Sequence, residues 1–105
     1  MKNEKLPEPP RDLRTLELTT REVKLLLKYG YPFEDEQKTL RTSRAVKGYH
    51  RVQIGAYWIE MMIADLIRSA KELRTPSLLE EIDALCDVLE NALTNPSKPS
   101  LVILE

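Results

Sequence analysis

The sequence predicts a mainly helical α+β domain, and three observations carry that prediction. Leu16 and Leu18, and again Val52 and Ile54, alternate with polar residues as a half-buried strand does. Each pair is followed directly by apolar residues at helical spacing. Two later helical faces are separated only by "RTPS", a break too short for anything but a reversal of direction. The expected architecture is therefore two strand–helix units, an antiparallel helix hairpin and a short C-terminal strand. An all-α bundle is the alternative.

The elements follow in chain order. Residues 1–12 read as a flexible N-terminal arm, because Pro7, Pro9 and Pro10 lack donors and no apolar face repeats. Residues 13–105 read as a single globular domain of ordinary small size. Thr19 and Glu22 have the spacing of a capping box. Val23, Leu26 and Leu27 form the face of the first helix, Gly30 suits a left-handed C′ position, and Pro32 blocks continuation. A charged, solvated helix is expected over roughly Glu34 to Arg44.

Next comes "RVQIGAYWIEMMIADLIRSA", Arg51 to Ala70. Val52 and Ile54 suggest a strand, and Gly55 can act as an N-cap. Ile59, Met62, Ile63, Leu66, Ala70 and Leu73 then keep helical spacing. One long helix over residues 44–74 would give similar spacing, but Gly48 and Gly55 would each cost about 1 kcal/mol inside it. Past "RTPS", Leu78, Ile82, Leu85, Leu89 and Ala92 line the last helix. "NPSKPS" reads as a linker, and Leu101–Leu104 as a terminal strand. Shifted by 36 positions, Leu16, Leu18, Val23, Leu26 and Leu27 fall on Val52, Ile54, Ile59, Met62 and Ile63, so both segments ask for the same local structure.

Composition narrows function by exclusion. The chain has 105 residues, 31% charged and 42% apolar, with a net charge of −1, so any electrostatic partner must be held by a local patch. The lone Cys86 cannot form an internal disulfide, which fits a reducing, cytoplasmic setting. Neither a signal peptide nor a membrane span is expected, and "NPS" at Asn95 has proline where a glycosylation acceptor forbids it. One His and one Cys cannot assemble a typical metal site, and three scattered glycines make no phosphate loop. His50 reads as a surface or strand-edge residue and Cys86 as a small buried hydrophobe. No cofactor or catalytic constellation is expected.

Two surfaces stand out. On a helical wheel Tyr57, Trp58 and Met61 fall opposite the core face, so they form an apolar patch that something must cover. Phe33, Leu40, the C-terminal strand or a second subunit could do so. The window between Glu36 and Glu60 holds no acidic residue but carries Lys38, Arg41, Arg44, Lys47 and Arg51 with several hydroxyls, a set able to contact phosphates or an acidic partner. The last helix is acidic instead, with Glu80, Glu81, Asp83, Asp87 and Glu90. The leading expectation is a small non-catalytic interaction or regulatory domain that self-associates as a homodimer through the apolar patch. Nucleic-acid binding by residues 38–51 is the alternative, and a small enzyme or ligand carrier the third.

Overall fold

A computed structural model describes residues 12–94. The elements are β1 (Leu13–Leu18), α1 (Thr20–Tyr29), α2 (Glu34–Thr42), β2 (Ala45–Val46), β3 (Tyr49–Gly55), α3 (Ala56–Ala70) and α4 (Pro76–Thr94). The fold is mixed α+β and mainly helical. Leu101–Leu104, the expected terminal strand, lies outside the described residues, as does all of the expected arm except Asp12.

The sheet has the order β1-β3-β2 and is antiparallel throughout. β1 pairs with β3 from Leu13↔Gly55 to Leu18↔His50, and the Ala56 N–H extends the pairing to the Asp12 carbonyl at 2.8 Å. Alternation does the sorting. Leu16, Leu18, His50, Val52 and Ile54 are buried on one face, while Leu13, Glu17, Tyr49, Arg51 and Gln53 point to the other and are exposed. The helices cover only the first face. Ile59, Met62 and Leu66 of α3, Ile82, Leu85 and Leu89 of α4, and Val23, Leu25 and Leu26 of α1 join the strand residues in one core.

The local grammar is specific. Thr19 caps α1: its Oγ1 accepts from the Glu22 N–H at 3.1 Å, and the Glu22 carboxylate accepts from the Thr19 N–H at 2.9 Å. Gly30 ends α1 differently from expectation. Its φ is −92°, and the left-handed residue is Tyr31, at φ 47°. Glycine is needed at 30 for space, since a Cβ there would lie 2.8 Å from the Leu26 carbonyl oxygen. β2 and β3 form a hairpin through Lys47 (φ 55°) and Gly48 (φ 89°), the two positive φ values of a type I′ turn. That turn, with the pairing of Tyr49–Gly55, excludes one long helix over residues 44–74. α2 stops at Thr42, where the expected helix ran to Arg44, because β2 begins at Ala45.

α3 and α4 pack along each other, joined by residues 71–75 with Thr75 at the cap and Pro76 in the first turn. The C-terminus of α4 is pinned to β1 by Arg14. Its guanidinium donates to the carbonyls of Ala92 and Leu93 at 2.7 and 2.6 Å and, with its other edge, to both Asp12 carboxylate oxygens.

The 36-residue echo is structural. The N-caps Thr19 and Gly55 are 36 apart, and Leu16 pairs directly with its own counterpart, Val52. In an antiparallel pair this places a pseudo-two-fold axis through the Leu16–Val52 pair. α2 packs on β3 as α4 packs on β1.

The capping box gives the simplest stability test. Thr19→Ala should lower the unfolding free energy by about 1 kcal/mol, measured by urea denaturation with an unchanged m-value.

Candidate interaction surface

The expected patch builds from the start of α3 and the loop before α2. α3 begins immediately after Gly55, so its first turn lies at the end of the sheet, with Ile59 and Met62 directed into the core. Trp58 is half-buried and packs against the core edge. Phe33, which precedes α2, lies over it at a ring-centroid distance of 4.6 Å, and Tyr57 meets it edge-on at 4.7 Å. Phe33 does not close the surface. It remains 55% exposed, with Tyr57 at 49% and Met61 at 38%. Phe33 therefore covers part of Trp58 and adds its own exposed ring to the patch. A cleft beside the two rings is lined by Phe33, Trp58 and the carboxylates Glu34, Asp35 and Glu36. Burial, with the nearby Asp35 charge adding to it, raises the Glu36 pKa.

The exposed face of α3 continues further than the sequence reading followed it. Tyr57, Met61 and Ala64 lie in line at helical spacing, and Ile67, 49% exposed, flanks them. Ile67 was legible as an apolar residue off the core face. Phe33 is among the residues expected to cover the patch, and it does pack on Trp58, but only the tertiary fold shows that its ring stays half exposed.

The basic residues divide. Arg44, Tyr49 and Arg51 line one cleft on the open sheet face with Val46 and Glu17, and Lys47 occupies the adjacent hairpin turn. Lys38 and Arg41 lie on α2 and do not line that cleft. Arg51 pairs with Glu17 across the strands at 3.7 Å. Among the described residues, the acidic helix α4 does not pair with this window. Its Glu81 accepts two bonds from Arg21 of α1, at 3.0 and 2.8 Å, which holds the Glu81 carboxyl below its usual range.

His50 corrects an expectation. It is buried, at 9% exposure, because its strand parity matches that of Val52 and Ile54. Ser43 Oγ donates to the Leu40 carbonyl at 2.7 Å, so it accepts from His50 Nδ1–H at 2.8 Å. Nε2 then accepts from the Thr20 hydroxyl at 2.9 Å. The ring thus ties β3 to the start of α1 and the end of α2, and both its nitrogens are engaged by hydroxyls. Cys86 is buried on α4, where burial, reinforced by the carboxylates of Glu90, Asp83 and Asp87, pushes its thiol pKa up to about 11.

Among the described residues no cluster of three His, Cys, Asp or Glu side chains is arranged to hold a metal ion, and no helix is long and apolar enough to cross a membrane. Comparison with protein-family models, with curated proteins and with solved structures found no match.

The thiol supplies a direct check of burial. At pH 8, alkylation of Cys86 by iodoacetamide should be at least ~10-fold slower in the folded chain than in urea. The raised pKa fixes the sign of the pH dependence. The contribution of Cys86 to stability is complete below its unfolded pKa of about 8.5 and is lost as pH rises towards 11.

Proposed function

We propose that this chain is a non-catalytic interaction module that self-associates through the exposed face of α3. The single observation that carries this reading is the run of exposed apolar side chains on one surface. Phe33, Tyr57 and Met61 are each more than a third exposed beside a half-buried Trp58, and Ile67 is exposed further along α3. Aromatic residues and Met are the types enriched in the cores of protein interfaces. Their burial against a partner supplies the energy, and the surrounding charges set orientation.

The test uses the side chains that the core does not need. Tyr57→Ser combined with Met61→Ser should weaken association by about 1–2 kcal/mol for each anchor removed, while leaving the melting temperature unchanged at concentrations where both chains are monomeric. Sedimentation equilibrium of the unmodified chain should show an average mass rising above the 12.2 kDa of the monomer as concentration increases. A mass fixed at the monomer value throughout would overturn the reading. Trp58→Ala is a poorer probe, since it also removes packing against the core edge and Phe33.

One observation favours a second reading. The cleft holding Arg44, Tyr49 and Arg51 on the open sheet face combines a stacking ring with two guanidinium groups, a combination that suits single-stranded nucleic acid. The Glu17 carboxylate in the same cleft opposes phosphate there. Binding to a mixed-sequence oligonucleotide is expected to be weak and to fall with rising salt, and fluorescence anisotropy at two ionic strengths measures it.

A further inference from the structure

The exposed residues of α3 are arranged palindromically by chemistry. Ala64, small and exposed, stands at the centre. Three positions on either side of it stand the apolar pair Met61 and Ile67. Four positions on either side stand Glu60 and Arg68, both exposed and opposite in charge. Seven positions on either side stand Tyr57, half exposed, and Lys71, exposed at the helix C-terminus.

We infer that α3 packs against α3 of a second copy, antiparallel, about a two-fold axis at Ala64. This rests on the self-association proposed above and specifies its geometry. In an antiparallel pair centred there, residues equally far on either side of 64 face each other. Met61 lies level with Ile67 of the other copy, twice, so an apolar side chain stands on each side of the seam beside Ala64. Glu60 meets Arg68, twice, which gives an ion pair on each flank. Tyr57 meets Lys71, placing an ammonium group over a ring at each end. Ala64 at the crossing lets the two backbones approach to the short end of helix-packing distances. A parallel pair in register would do the reverse. It would set Glu60 on Glu60 and Arg68 on Arg68, and like-charge contacts are unfavourable. The Asp65 carboxylate already bonds Arg68 within each helix, which steadies that guanidinium on the exposed face. Phe33, tilted against Trp58 beside Tyr57, extends the apolar area at both ends.

A charge-swap cycle on the full chain tests this by sedimentation equilibrium at low salt. Glu60→Arg and Arg68→Glu each place like charges opposite one another twice, and each should raise the dimer Kd by ~10-fold or more. The double variant, with the pair reversed, should return to within about threefold of the unmodified chain, because its pairing is restored in mirrored order. Both positions are exposed, so thermal melts at concentrations where every variant is monomeric should coincide, which confirms that the fold stands. Single variants that weaken association without rescue in the double variant overturn the antiparallel geometry. Single variants without effect, in a protein that Tyr57→Ser with Met61→Ser still dissociates, overturn it too but leave self-association intact. A chain that never rises above the monomer mass removes both.

Discussion

The register between β1 and β3 is the constraint on which the rest of this structure depends. It matches Leu13 with Gly55 and Leu18 with His50, and so assigns Leu16, Leu18, Val52 and Ile54 to one face. A slip of one residue would turn all four towards solvent. The same register brings the ends of both strands to positions from which α1 and α3 start directly, one after Thr19 and the other after Gly55. Because α3 begins at that point, its Ile59, Met62 and Leu66 face inward and its Tyr57 and Met61 outward. The exposed apolar surface is thus a consequence of strand pairing and not an independent feature.

The pseudo-two-fold relation explains why two dissimilar polar devices occupy similar places. Arg14 and His50 are 36 residues apart, both on the buried face of the sheet. Arg14 donates directly to the last carbonyls of α4. His50 reaches the Leu40 carbonyl near the end of α2 through the Ser43 hydroxyl. Each therefore ties the C-terminus of the second helix of one half to the strand of the other. A helix end buried against a sheet leaves carbonyl groups without intrahelical partners; Arg14 satisfies those of α4 from the strand, whereas Ser43 satisfies the Leu40 carbonyl and His50 holds that hydroxyl in place.

Much of this was legible in the sequence, and the gaps have physical causes. Both main strands, the four helices and the Thr19 cap follow from short-range periodicity and capping chemistry, which are local. β2 was missed because two residues carry no period; the Lys47–Gly48 pair was its only signal. The left-handed conformation expected at Gly30 is adopted by Tyr31, because what glycine supplies at position 30 is space beside the Leu26 side chain and carbonyl one helical turn back. His50 was placed at the surface although the parity of Val52 and Ile54 already pointed inward; residue type outweighed position. Of the surface, Tyr57, Trp58 and Met61 could be named from the helical wheel, whereas Phe33 joins them only through folding. The five basic residues looked like one segment because they are close in sequence, but the fold divides them between α2, a turn and the open sheet face.

The β1–β3 pairing also carries a kinetic consequence. Its contacts join residues 32 to 42 positions apart, from Leu18–His50 to Leu13–Gly55, whereas most helix contacts are local. Bringing such distant segments together loses chain entropy before any sheet hydrogen bond repays it. The strand–helix units can gain and lose local structure quickly, but neither half has a complete buried face until the other arrives. Docking of the two halves at the Leu16–Val52 axis is the step at which this entropy is lost, and a substitution there is expected to slow folding as well as to lower stability.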